Sequence, residues 1–124
     1  MEAFAAADAR ARTLTDEMCA ELKAIVELLV AGDYAELARR SRFVEEDALH
    51  SWMQYILGPI RLGVPPKSHY DSAEVYPLDD PPPRWRVDLD LWDADTAGIA
   101  DVHIVVWFEE TEGGRSGQLK EVLP

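Results

Sequence analysis

The stretch Arg84-Trp85-Arg86-Val87-Asp88-Leu89-Asp90-Leu91-Trp92 decides the reading of the fold. Trp85, Val87, Leu89 and Leu91 fall on one side of an extended chain, and Arg86, Asp88, Asp90 and Trp92 on the other. A period of two marks a strand with one buried face. The second face should meet water, yet it carries two carboxylates and an indole. A large aromatic among exposed acids has the composition of a binding surface.

Working outward, further strands are expected over residues 102–110 and 117–123, with a short one around 73–76. Glu112-Gly113-Gly114-Arg115 is a tight hairpin signal, because paired glycines accept positive φ. Placing Arg86 opposite Glu109 sets Asp88 against Trp107, Asp90 against Val105 and Trp92 against His103. Its other side then pairs Val87 with Phe108, Leu89 with Val106 and Leu91 with Ile104. Sliding by two residues one way opposes Asp88 and Glu109, two like charges. A slip of one puts the apolar row into water. Sliding by two the other way, with Arg86 over Trp107, stays open. In either surviving register Trp92, His103, Val105 and Trp107 share a face with Asp88 and Asp90. In the last strand Leu119 and Leu123 would join the core row, but Glu121 lies between them, which a bulge or an edge position would resolve.

Upstream the period changes to 3.6. Leu14, Met18, Leu22, Ile25, Val26 and Leu29 recur at three- and four-residue steps, behind candidate caps Thr13 and Thr15. Gly32 ends this helix, and Asp33 with Glu36 forms a capping box for a short second one containing Tyr34, Leu37 and Ala38. Glu45 to Leu57 reads as a third helix with Leu49, Trp52, Met53 and Ile56 on its apolar side, stopped by Gly58-Pro59. Residues 59–83 hold seven of the eight prolines and read as an irregular crossing, stiff and extended at Pro81-Pro82-Pro83. Helices first and strands after predict an α+β fold: three N-terminal helices packed on an antiparallel sheet of three or four strands. Residues 1–12 read as a flexible or helical tail and 13–124 as one domain.

The net charge is −12, from 24 acidic and 12 basic residues. It is uneven: residues 1–68 carry −3 and residues 69–124 carry −9. Such a chain repels phosphates, which argues against nucleic acid as a partner, and an acidic field attracts a basic one. Cys19 is the one cysteine, so no internal disulfide is expected; on a helical segment it reads as a buried structural thiol. Residues 1–12 lack the basic and apolar regions of a secretory signal, and no stretch has the length of a membrane helix. The expected compartment is a reducing cytoplasm.

His50, His69 and His103 fall on a helix, a loop and a strand without metal-ligand spacing, so no metal or cofactor is expected. Asp93-Ala94-Asp95-Thr96-Ala97-Gly98 starts like a calcium loop, but its twelfth position is Ile104 where a Glu is needed, and a turn explains it better. Asp88 and Asp90 are the best carboxylate pair, and alternating acids on a wet strand face explain them without catalysis. There is no Gly-rich phosphate loop and no nucleophile with a base beside it, so no catalytic residue is assigned. Trp85 and Trp52 read as core. Trp92 and Trp107 are either filling beneath a cover or an exposed aromatic patch.

Two segments carry a resemblance. Ile25-Val26-Glu27-Leu28-Leu29-Val30-Ala31-Gly32-Asp33-Tyr34 with Leu37, and Pro83 to Trp92, resemble a family of small uncharacterised bacterial domains with N-terminal helices, a Pro-rich crossing and a Trp-x-Val-Asp-Leu-Asp-Leu-Trp strand. The helix ending Ala31-Gly32-Asp33 is also similar to the opening of nuclear-transport-factor-2-like cone folds. That likeness implies a pocket lined by Val87, Leu89, Ile104, Val106 and Phe108, onto which the usual acid–base residues of the cone fold do not map. Two functions are therefore in play. One is a non-enzymatic acidic binding protein, such as an immunity-type inhibitor of a basic toxin, using Asp88, Asp90, Trp92, Asp93, Asp95, His103 and Trp107. The other is a pocket protein that binds or converts a small apolar ligand. The sequence leaves the oligomeric state open.

Overall fold

The structure is a computed structural model and describes residues 14–78, 84–111 and 114–124. Thr13, the tail before it and the Pro81–Pro83 run lie outside the described residues.

Helix α1 spans Asp16–Ala31. Its N-cap is Thr15, whose hydroxyl accepts from the Met18 N–H at 3.1 Å. It closes on Gly32, at φ 72° and ψ 22°, a left-handed conformation that glycine adopts without a Cβ clash. Met18, Leu22, Ile25, Val26 and Leu29 form its buried stripe. Burying side chains of this size is worth roughly 1.5–3 kcal/mol each. Helix α2, Tyr34–Arg40, starts at Asp33, whose carboxylate accepts from the Glu36 N–H. Only half of the capping box forms, because the Glu36 carboxylate turns to Arg39 at 2.6 Å. Helix α3, Glu46–Leu57, buries Leu49 and Met53, with Trp52 and Ile56 half-buried against the same core. Cys19 is likewise half-buried beside the core.

Five antiparallel strands follow: β1 (Leu62–Gly63), β2 (Glu74–Leu78), β3 (Arg84–Asp93), β4 (Gly98–Thr111) and β5 (Gly114–Leu123). The sheet exceeds the expected three or four strands by the two-residue β1, too short to show any period. β3 pairs with β4, and β4 with β5, in hairpins; β1 and β2 share the remaining edge of β3. Thr111 pairs with Gly114, and Glu112 and Gly113 of the expected hairpin turn lie outside the described residues. The fold is α+β, helices first.

The register is the one with Arg86 over Trp107, two residues from the Arg86–Glu109 pairing placed first above. In it Arg86 pairs with Asp88 on its own strand, while Glu109 stands opposite Arg84 and pairs with Arg42, so neither charge is left unmatched. Asp88 thus faces Val105 and Asp90 faces His103. Beyond Asp90 the ladder slips: Trp92 pairs with Ile99, so β4 spends three residues where β3 spends one. The excess is two, so the alternation survives. Ala100, Val102, Ile104, Val106 and Phe108 stay inside.

In β5 the slip is a single residue. Val105 pairs with Glu121 and Val106 with Leu119, leaving Lys120 as a bulge. The bulge resolves the conflict over Glu121: Leu119 and Val122 enter the core, and Glu121 faces outward. Leu123, expected in the core row, is instead half-buried on the outward side opposite His103.

Helices α1, α2 and α3 pack on the inner face. Trp85, Val87, Leu89, Leu91, Ile104, Val106 and Phe108 form one cluster with Met18, Leu22, Leu29, Leu37, Leu49 and Met53. The row that a cone fold would leave as a pocket is therefore packed against helices, with Val87, Ile104, Val106 and Phe108 at 0% exposure. No helix of the described residues is long and apolar enough to cross a membrane.

Candidate functional site

The outward face of the sheet carries the chemistry. Alternation puts Arg84, Arg86, Asp88, Asp90 and Trp92 of β3 there, beside Ile99, Asp101, His103, Val105, Trp107 and Glu109 of β4. β2 adds Glu74 opposite Asp88 and Tyr76 opposite Arg86. These rows divide the face into two chemically distinct ends.

At one end Ser72, Glu74, Asp88, Leu89, Asp90 and His103 line an open depression of about 220 Å³. Asp90 is exposed. Asp88 is held by Arg86 through a two-pronged contact of 2.8 and 3.0 Å. That contact raises the Arg86 pKa, with the Asp88 hydrogen bond as the largest cause. Glu74 accepts from the Tyr76 hydroxyl, and this hydrogen bond is the main reason the Tyr76 pKa is raised. Ser72 donates to the His69 carbonyl at 2.6 Å, which ties down its hydroxyl. Three carboxylates thus surround a depression with one guanidinium among them. The chemistry suited to it is reception of a further cation, since each added positive group is attracted.

At the other end stands Trp107, half-buried. The Arg84 guanidinium lies 5.3 Å and the Lys120 ammonium 5.1 Å from its ring centre. Phe43 meets it edge-on at 5.3 Å. Phe43 is brought there by the α2–α3 connection, which wraps the edge of β5. The Ser41 hydroxyl donates to the Leu119 carbonyl at 2.6 Å, the Arg42 N–H donates to the Gln118 side chain, and the Arg42 guanidinium pairs with Glu109. Between the two ends Val105 is only 1% exposed although it points outward. Asp88 and Glu121 flank it across the strands, and His103 and Trp107 along its own.

The remaining sequence-predicted residues lie apart from both ends. Trp92 is half-buried and packs at 5.3 Å on His69. β2 stops pairing at Asp88 and β1 begins at Trp92, so among the described residues a short edge of β3 has no strand beside it. His69, 7% exposed, fills that gap by donating Nε2–H to the Asp90 carbonyl at 2.7 Å. Asp93 caps the turn after β3 by accepting from the Asp95 and Thr96 N–H groups. Asp95 pairs with Arg61 at 2.8 Å. Residues 94–97, between the paired Asp93 and Gly98, form a turn, as read above, with Ala97 at φ 53°. So Asp88, Asp90 and His103 converge, and Trp107 lies about 13 Å along β4 from His103 at the usual strand rise. Among the described residues no three His, Cys, Asp or Glu side chains converge as metal ligands.

Glu74, Tyr76 and Phe43 are members of the face that sequence reasoning missed. The short strand expected around 73–76 held the signal for Glu74 and Tyr76, since residues two apart share a face. Phe43 sits in a connection without period, and nothing in the sequence points it at Trp107.

Residues 26–122 match the model of a family described as a domain of unknown function, DUF7668. No curated protein matches the chain. No solved structure matches it either.

Proposed function

The chain belongs to the DUF7668 family, and we propose that it is a non-enzymatic binding protein that captures a basic protein partner through the outward face of its sheet. The observation that carries this reading is the depression, open among the described residues, whose rim holds Glu74, Asp88 and Asp90. A lysine or arginine of the partner enters there, and Trp107 on the same face supplies apolar contact. The charge of −9 on residues 69–124 draws such a partner in before contact. Asp93 and Asp95 add to that field from the neighbouring turn, while Trp92 supports the wall that His69 completes.

An immunity-type inhibitor of a basic toxin is one form of this function, and the acidic balance of the chain supports it. The filled inner face supports a surface binder over a pocket protein for small apolar ligands, because the row of a cone-fold pocket is occupied by helix side chains.

Fluorescence titration with a hexa-arginine peptide tests the reading. Saturable binding is expected. Asp90→Asn should weaken it about tenfold, the value of roughly 1.4 kcal/mol for one lost charge contact. Trp107→Ala should weaken it less than Asp90→Asn does, because Arg84 and Lys120 already stand against that ring. Glu46→Gln, an exposed acid on α3, should leave it unchanged. Equal weakening by Glu46→Gln and Asp90→Asn would mean that the peptide follows overall charge, and the assignment of the face would fall.

A further inference from the structure

The Trp107 end of the outward face has a chemistry of its own. Two cations border the ring, Arg84 at 5.3 Å and Lys120 at 5.1 Å from its centre. Lys120 also stands 4.6 Å over Phe43. The β5 bulge puts it there. Leu119 goes into the core and Glu121 faces outward, and the extra residue between them turns its side chain onto the aromatic pair. Among the described residues Glu109 is the one acid on the outward side of this end, and it stands opposite Arg84 and pairs with Arg42. The nearest acid toward the depression, Asp88, is engaged by Arg86. Among the described residues the Lys120 ammonium therefore has no carboxylate partner. An aromatic face attracts a cation without neutralising it, so this charge stays available to an anion.

We propose that this end binds a carboxylate of the same partner whose cation enters the depression, so that the partner is an extended segment carrying a basic residue and, four residues along, an acidic one. The inference rests on the capture of a basic partner proposed above and adds an anion to its chemistry. Trp107 lies four residues along β4 from His103, about 13 Å at the usual strand rise. In an extended segment, residues four apart are separated by the same length and share a side. Such a segment runs along the strands and passes over Val105, midway between the two ends. Its carboxylate meets Lys120, and the methylenes behind that carboxylate lie on the Trp107 ring.

The two contacts act together. The net charge of −12 repels a free anion, so the carboxylate is held by its linkage to the cation in the depression, which raises its effective concentration at Lys120. The same arrangement discriminates among basic partners. A uniformly basic segment brings a like charge against Lys120 and Arg84, whereas a segment with an acid at the far end meets opposite charges at both ends.

Fluorescence titration with two end-capped peptides tests this. One is Arg-Arg-Arg-Ser-Thr-Ser-Glu, which sets a glutamate four residues after its last arginine; the other has Gln in place of that Glu. The Gln peptide carries the higher positive charge, so attraction to the acidic chain as a whole favours it. The proposal expects the reverse order, with the Glu peptide binding about threefold tighter, the size of one solvent-exposed ion pair. Lys120→Gln should abolish that preference and Lys120→Arg should keep it, whereas Asp90→Asn should weaken both peptides alike. If Lys120→Gln does not melt cooperatively, the order of the two peptides on the wild type decides alone. Absent or equal binding of the two peptides, or tighter binding of the Gln peptide, would overturn the anion site. So would a preference for the Glu peptide that survives in folded Lys120→Gln. In each of these cases, saturable binding of hexa-arginine that Asp90→Asn weakens leaves the capture reading standing, and its failure removes both.

Discussion

Neighbouring residues of β3 have opposite fates. Leu89 is 2% exposed inside the core, while Asp90 points to water. Leu89→Ala should cost about 2–5 kcal/mol, as for large-to-small core changes. Asp90→Ala should cost less than about 1 kcal/mol. Urea melts of both variants check the assigned faces, and equal losses would mean that the alternation is misassigned. Gly117 gives a sharper test. A Cβ there would stand 2.7 Å from Cε1 of Phe108, a ring with 0% exposure and no room to swing. Gly117→Ala should therefore destabilise by about 1–3 kcal/mol through overpacking, read by the same melts. At this scale the sequence shows which side a residue faces and hides what covers it. The covers of Trp92 and Trp107 are His69 and Phe43, each far along the chain and in segments without a period.

The strand faces were legible because each has a strict period of two. The register was not, because an ion pair that would set it had other partners available. Arg86 found Asp88 two residues along its own strand, and Glu109 found Arg42 across the edge of β5. The bulge at Lys120 was legible only as a conflict, since Glu121 stood where the core row should continue. Removing the bulge should leave the faces as they are: deleting Lys120 joins Leu119 directly to Glu121, and both keep their partners Val106 and Val105 in an unbroken alternation. The deletion should cost about 1 kcal/mol, the value of the lost contacts of Lys120 with Phe43 and Trp107, and a much larger loss in urea melts would mean that the register at this strand end is misassigned. At the helical end, Thr15→Ala should cost about 0.5–2 kcal/mol by leaving the Met18 N–H without its cap. Thermal melts would show it as a uniform shift.

For the molecule as a whole, the change of period across the Pro-rich crossing was enough to reveal α+β, because helices and strands impose different spacings on the same apolar requirement. The division of the outward face into an acidic and a basic–aromatic end was not legible. It depends on the register, on the Lys120 bulge and on a connection that carries Arg42 and Phe43 around the β5 edge. The charge of the chain bears on kinetics. Raising salt from about 0.01 to 0.15 M shortens the screening length from about 30 to 8 Å, so association with a basic peptide should slow markedly while dissociation changes less. Stopped-flow mixing at both salts measures this.

The central claim is that the outward face of the sheet, at its acidic end, is where this protein meets a cationic partner. Backbone and indole N–H chemical-shift mapping during a hexa-arginine titration tests it most directly. The account predicts saturable shifts centred on Glu74, Asp88, Asp90 and His103, extending to the Trp107 indole. Largest shifts at the helix acids Asp16, Glu17, Glu46 and Asp47, or small shifts scattered over every acidic residue, would contradict it.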